Sequence, residues 1–115
     1  MKISEMAIMA ATVVLTAKLG TVQFNGHKET WYNLPMHNII ERADGIYGLN
    51  DVYEEREDGV KTYNGFVILE TDWNEYPFGS IIETSLGTGI VLDMQTSGDK
   101  QIVDIATTWG KGGKK

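Results

Sequence analysis

The sequence predicts a mainly β fold, and three observations lead to this prediction. Four short segments rich in β-branched residues are bounded by turn residues, and they begin at Phe66, Ile81, Gly89 and Ile102. Glycine is frequent and proline is rare, with 13 and 2 residues respectively, which is typical of tight turns between short strands. Only one segment has apolar residues at helical spacing. We therefore expect a compact β sandwich or barrel.

The first half of the chain predicts two further strands and a short helix. Strands over residues 21–24 and 29–33 would flank Asn25-Gly26, a strong turn signal. Apolar residues recur at helical spacing over residues 36–43, and we expect this helix to end near Asp44-Gly45. Residues 46–61 are polar and acidic, so a solvated hairpin that turns at Asp58-Gly59 is the simplest interpretation.

The chain of 115 residues suits a single domain. We divide it into an N-terminal apolar segment over residues 1–20, a domain over 21–109 and a flexible basic tail over 110–115. The apolar run of residues 6–17 follows Lys2 and has the length of an export signal, but it is too short to cross a bilayer. Two interpretations stay open for this run: an export signal, or a packed helix or strand.

Composition excludes several classes of function. The net charge of −6 argues against nucleic-acid binding, which needs a basic surface. The absence of cysteine excludes disulfides, thiolate zinc sites and cysteine nucleophiles. His27 and His37 form no recognisable ligand pair, so we expect surface roles for both, with no metal and no cofactor. Gly87 and Gly89 precede no helix, so a phosphate-binding loop is not expected.

Three aspartates lie beside the predicted strands. Asp72 and Asp93 each follow a strand, and Asp104 lies inside the last strand between two apolar residues. Strand alternation could turn Asp104 outward while its neighbours face the core. Alternatively, Asp104 is held in a cleft, where loss of hydration favours the protonated acid and lets it donate a proton. Spacing alone leaves both explanations open.

The arrangement of these aspartates resembles a known family. Asp72 is followed by Pro77-Phe78-Gly79, Asp93 closes the strand Gly89-Ile90-Val91-Leu92, and Asp104 lies within Ile102-Val103-Asp104-Ile105. This pattern is similar to the three-aspartate domain of Gram-positive cell-wall proteins and their phages, which is related to the barrel of membrane-bound lytic transglycosylase A. Residues 30–36, 56–61 and 83–89 resemble a stand-alone Firmicutes and phage branch of that family. The resemblance covers roughly residues 30–109.

The resemblance implies a small six-stranded double-psi β-barrel with one or two short helices and a glycan groove. It also implies peptidoglycan cleavage by a lytic transglycosylase. Asp104 would be the general acid and base at the bond between N-acetylmuramic acid and N-acetylglucosamine, supported by Asp93 and Asp72. The candidates for substrate binding are Trp73, Glu83 and Thr96. Trp73 adjoins Asp72, and an aromatic ring can stack on a sugar, although core packing is the ordinary role of Trp73, as it is of Trp31, Tyr32 and Trp109.

The implied partners are peptidoglycan glycan strands and phage or cell-wall assembly proteins, in the cell envelope or a phage particle. No nucleic acid and no transmembrane span are expected. An alternative is a non-catalytic glycan-binding or phage structural module, because Met94-Gln95-Thr96 replaces the Thr-Gly-Gly that usually follows the second aspartate in the family. A third possibility is an assembly component without glycan affinity, whose acidic surface keeps it in solution.

Overall fold

The computed structural model of the chain describes residues 13–95 and 101–110. These residues form one sheet of eight strands and one helix, so the predicted mainly β class is confirmed. The strands are β1 (Val22–Phe24), β2 (His27–Tyr32), β3 (Tyr53–Glu55), β4 (Lys61–Tyr63), β5 (Phe66–Thr71), β6 (Ile81–Thr84), β7 (Gly87–Met94) and β8 (Ile102–Ala106). The helix, α1, spans His37–Tyr47. In the described part of the chain, no helix is long and apolar enough to cross a membrane.

Strand β5 lies at the centre of the sheet. One of its edges pairs in parallel with β7, while the other pairs antiparallel with β4 and then with β8. Beyond these, β2 runs parallel to β8, and β1, β3 and β6 are antiparallel to β2, β4 and β7. The hydrogen-bonded path from β1 to β3 does not return to its start within the described strands. The sheet is therefore open, unlike the closed six-stranded barrel that we expected.

Both faces of the sheet carry a hydrophobic core. The central strands are accordingly apolar at successive positions, as in other sheets buried on both faces. Val67 and Leu69 of β5 point to one face, and Ile68 between them points to the other. The first core comprises Leu15, Trp31, Val60, Val67, Leu69, Val91, Val103 and Ile105. The second core comprises Tyr32, Met36, Ala43, Tyr63, Ile68, Ile90, Leu92 and Ala106. Helix α1 covers the second core, to which it contributes Ala43.

The helix lies where the sequence predicts it but is longer. Gly45 does not end it, because glycine lowers helix stability without breaking the hydrogen-bond ladder. The helix ends at Gly48, whose φ of 69° is left-handed and whose N–H donates to the carbonyl of Asp44 at 2.8 Å. This is the ordinary glycine ending of a helix.

The predicted turns are present, but the acidic hairpin is less solvated than expected. Asn25 and Gly26 both have positive φ, as the tight turn between β1 and β2 requires. In the hairpin that turns at Asp58-Gly59, Lys61 is only 5% exposed, and Val60 belongs to the first core. All three residues of β4 are buried, although the residues before Val60 are mostly charged.

Gly89 is needed for packing. A Cβ atom at this position would lie 2.7 Å from Cδ1 of Leu69 and 3.0 Å from the carbonyl oxygen of Val67. Only glycine lets β7 approach β5 this closely. Packing thus accounts for the second glycine of the Gly-Thr-Gly sequence.

The N-terminal segment is described only from residue 13. Residues 13–20 contain no helix and no strand, but they include only the end of the apolar run of residues 6–17, so our two interpretations of that run stay open. Nevertheless, Leu15 is 1% exposed and belongs to the first core. Residues 1–12 and the lysines of the basic tail lie outside the described residues.

Candidate functional site

Four polar residues form a row across the four central strands. In the strand register, Thr30 of β2 pairs with Asp104 of β8, Asp104 pairs with Glu70 of β5, and Glu70 pairs with Asp93 of β7. We call these four residues the acidic row. Paired residues of neighbouring strands point to the same face of a sheet. Ala106, two residues after Asp104, belongs to the second core, so the row lies on the face that α1 covers.

A buried tyrosine is bonded to the acidic row. Tyr32 is fully buried, and its hydroxyl donates to Oδ2 of Asp93 at 3.0 Å. The pKa of Tyr32 is raised well above its usual value, first by burial and then by the negative charges of Asp93, Glu70 and Asp104. The charges of all three carboxylates therefore act on one phenol, and Asp93 contacts it directly.

Hydrogen bonds hold two of the carboxylates in place. The hydroxyl of Thr30 donates to Oδ1 of Asp104 at 2.7 Å. Oδ1 of Asp93 accepts the backbone N–H of Met94 at 2.9 Å, while its other oxygen accepts Tyr32. Asp104 is only 5% exposed, whereas Asp93 and Glu70 are half-buried. The side of the cluster that solvent reaches is therefore made mainly by Asp93 and Glu70.

Asp72, the third predicted aspartate, lies in the turn that follows β5. Its Oδ1 accepts the backbone N–H of Asn74 at 2.8 Å, and its carbonyl accepts those of Glu75 and Tyr76. It is not among the carboxylates that raise the pKa of Tyr32. The structure brings Asp93 and Asp104 together with Glu70 and places Asp72 in the adjoining turn, where its carboxylate caps the chain reversal.

The residues predicted to bind substrate lie in different surroundings. Trp73 adjoins the acidic row, because its Nε1–H donates to the carbonyl of Asp93 at 3.0 Å. The guanidinium of Arg42 lies 5.8 Å from the centre of the Trp73 ring. Glu83 is exposed on β6 and accepts the hydroxyl of Thr88 from the neighbouring strand at 2.8 Å. Thr96 lies outside the described residues.

The remaining aromatic candidates mainly serve packing. Trp31 is buried in the first core, and the Trp109 ring meets it edge-on with centroids 5.7 Å apart. Tyr32 combines packing in the second core with its hydrogen bond to Asp93.

Sequence reasoning did not select Glu70 or Thr30 for the site. A signal for Glu70 exists, because it is the first charge after the apolar run of β5 and alternation places it on the same face as Ile68. Alternation cannot say which residue of another strand lies opposite. The register that joins Thr30, Glu70 and Asp104 comes only from the assembled sheet.

A second buried polar network lies at one end of β2. The carboxylate of Glu29, which is fully buried, accepts the hydroxyl of Ser85 at 2.7 Å and its backbone N–H at 2.9 Å. Nε2 of His27 lies 3.4 Å from the same carboxylate. His27 is 4% exposed, so the prediction of a surface role was wrong, whereas His37 is exposed as expected. Among the residues that the structure describes, no group of three or more His, Asp or Glu is arranged to hold a metal ion.

The fold and the acidic row together define a mainly β domain with a carboxylate cluster on its helix-covered face. Comparison of the chain with models of protein families, with curated proteins and with solved structures gave no match.

Proposed function

We propose that the protein cleaves peptidoglycan glycan strands as a lytic transglycosylase, with Asp104 as general acid and base. The observation that supports this proposal is the strand register, which sets Glu70 beside both Asp104 and Asp93, with the buried hydroxyl of Tyr32 bonded to Asp93. A carboxyl group that comes within hydrogen-bond distance of a glycosidic oxygen can act on it as a general acid.

The proposed reaction needs no water. The Asp104 carboxyl protonates the glycosidic oxygen, and the bond from this oxygen to C1 of the muramic acid ring breaks. The Asp104 carboxylate then takes the proton of the sugar's 6-hydroxyl while the oxygen of that hydroxyl bonds to C1. This bond closes a 1,6-anhydro ring. Glu70 and Asp93 stabilise the positive charge that develops on the sugar between these steps. In this proposal Thr30 positions Asp104 through its hydrogen bond at 2.7 Å.

The alternative is a module that binds cell-wall glycan without cleaving it, or a phage structural module. Two observations favour it: Asp104 is only 5% exposed, and Met94-Gln95-Thr96 follows Asp93 where the family has a glycine-containing loop. In this alternative, Asp93 and Glu70 accept hydrogen bonds from sugar hydroxyls. The buried Asp104, opposite Glu70 in the register, does not contact the sugar.

We also propose that the central strands belong to the double-psi class and that the protein serves the cell envelope or a phage particle. The parallel pairs β2–β8 and β5–β7, joined by the antiparallel pair β5–β8, support the fold proposal. A crystal structure of the full chain tests it. Two interlocked crossovers among β2, β5, β7 and β8 are expected, and their absence would contradict the fold proposal.

The deciding experiment compares Asp104→Asn with the wild-type protein on purified peptidoglycan. We expect 1,6-anhydro-muropeptides from the wild type, their loss in the variant, and equal thermal unfolding of both. Asp51→Asn, which changes an exposed loop carboxylate, is the matched control and should retain full activity. Wild-type protein that sediments with insoluble peptidoglycan but releases no product would favour the binding module. Failure to sediment and failure to release product would contradict both the enzyme and the glycan-binding module, and would leave only a structural role.

A further inference from the structure

A cleft of about 570 Å³ opens between the first turns of α1 and the hairpin formed by β3 and β4. It contains no residue of the acidic row. The residues that line it are Pro35, Met36, His37, Ile40, Glu41, Asp44, Tyr53, Glu55 and Lys61. Its volume is within the range of sites for small molecules, and its apolar side chains come from Pro35, Met36 and Ile40.

Tyrosine hydroxyls orient two carboxylates of this cleft. The hydroxyl of Tyr63 donates to Oδ1 of Asp44 at 2.8 Å, and that of Tyr53 donates to Oε2 of Glu55 at 2.9 Å. Within residues 13–95 and 101–110, the second oxygen of each carboxylate accepts no hydrogen bond. Each carboxylate is thus oriented by a hydrogen bond to one oxygen, and its other oxygen can accept a hydrogen bond from a ligand.

Lys61 brings a positive charge to the same cleft. Its Nζ donates to Oδ1 of Asn33 at 3.1 Å and to the carbonyl of Leu34 at 2.9 Å. A lysine ammonium has three hydrogens, so among the residues that the structure describes one hydrogen remains after these two bonds. Burial lowers the pKa of Lys61, and the nearby charge of Glu55 partly opposes this change. An acceptor with negative charge, bound next to Lys61, would compensate for the hydration that the buried ammonium has lost.

We propose that this cleft binds a small aliphatic zwitterion, a compound with a carboxylate at one end and an ammonium group at the other. Its carboxylate accepts the third hydrogen of Lys61, and its ammonium group donates to Asp44 and Glu55. Its methylene groups cover Met36 and Ile40. The cleft holds one cation, two oriented carboxylates and apolar side chains, and these groups are complementary to such a ligand in charge and in polarity.

The test uses 6-aminohexanoate as the probe, with n-hexylamine and n-hexanoate as matched compounds that each lack one charged end. Binding is followed from the backbone amide signals of the cleft residues in NMR titrations of the full chain. We expect saturable shifts with 6-aminohexanoate and binding about tenfold or more weaker for each single-ended compound, because each lacks one ionic contact. Equal affinity for hexylamine and 6-aminohexanoate would overturn the proposal, as would the absence of saturable shifts at the cleft.

Two variants separate the ends of the ligand. Glu55→Gln keeps an acceptor for Tyr53 but removes the charge, so it should weaken 6-aminohexanoate about tenfold without weakening hexanoate. Lys61→Met should weaken both compounds, and if it fails to fold, Glu55→Gln and Asp44→Asn still decide the question. The exposed Glu57, which does not line the cleft, supplies the control variant Glu57→Gln with unchanged binding. Unchanged affinity for 6-aminohexanoate in both Glu55→Gln and Asp44→Asn would overturn the proposal.

Discussion

The hydroxyl of Tyr32 donates to the carboxylate of Asp93 at 3.0 Å, although 61 residues separate the two in the chain. Tyr32 lies on β2 and Asp93 on β7, and strands β8 and β5 lie between them in the sheet. One hydrogen bond thus joins two strands that are not neighbours in the sheet, and it ends on a member of the acidic row. The integrity of the proposed site and the assembly of the central sheet are therefore linked.

Replacing Tyr32 by Phe should lower the free energy of unfolding by about 1–3 kcal/mol, since a hydrogen bond to a charged acceptor contributes about that much. Urea denaturation at neutral pH measures this loss. The control is Tyr53→Phe, which removes a similar bond to the exposed carboxylate of Glu55 and should have a smaller effect. Equal losses of unfolding free energy in the two variants would show that the buried hydrogen bond to Asp93 contributes no more to stability than the exposed one to Glu55.

Replacing Glu70 by Gln should stabilise the fold at neutral pH by about 0.5–1.5 kcal/mol, because Glu70 lies directly opposite Asp104 and Asp93 in the strand register and like charges in opposite positions repel. The gain should shrink at high salt, which screens the repulsion. Chemical denaturation at two ionic strengths measures both effects. Glu83→Gln, on exposed β6, is the control and should change stability little. A destabilised Glu70→Gln variant would mean that repulsion is not the dominant interaction of Glu70.

Tyr63 should make the protein less stable as the solution becomes alkaline. Burial, and then the hydrogen bond to Asp44, raises its pKa from 10.0 to about 12. Between these values the folded state keeps a proton that the unfolded chain has lost, so the free energy of unfolding falls as pH rises. Tyr63→Phe removes this titration, and its stability should fall less steeply across the same window. Denaturation curves at several pH values measure the two slopes, and parallel slopes would contradict the assignment.

Two glycines with the same backbone conformation should respond differently to alanine. Gly59 and Gly65 have φ values of 90° and 88°. A Cβ atom at Gly59 would lie 2.8 Å from both Oγ1 of Thr108 and Nε1 of Trp109, whereas at Gly65 it would meet nothing within 4 Å. Gly65→Ala should cost about 1 kcal/mol from backbone strain alone, and Gly59→Ala should cost about 2 kcal/mol more. Thermal and urea unfolding compare the variants, and equal losses would mean that the β3–β4 turn yields without strain.

Local patterns predicted the elements of this fold better than their assembly. The turn at Asn25-Gly26 and the helix before Gly48 follow from residue types whose backbone preferences act within a few positions. The buried Lys61 could not be predicted in this way, because its acceptors on Asn33 and Leu34 come from a distant part of the chain. The open sheet likewise depends on which strand edges find partners, and strand patterns do not encode this.

The candidate site shows the same division. Asp93 and Asp104 were selected from their positions at strand ends and inside an apolar strand, together with the family resemblance. Glu70 entered only through the register of β5 with its two neighbours, since one step along the strand would have turned it to the other face. Asp72 stands next to the same strand, yet the turn after β5 uses its carboxylate as a cap.

Leu15 has a consequence for how the chain can be shortened. Its side chain fills a place in the first core, and its backbone N–H donates to the Ser85 hydroxyl that is bonded to Glu29. Proteolysis after Ala17 would therefore remove the Leu15 side chain from the first core and let solvent reach the buried carboxylate of Glu29. Any processed form of this protein that begins beyond Leu15 must close that opening with another side chain, or with a neighbouring molecule.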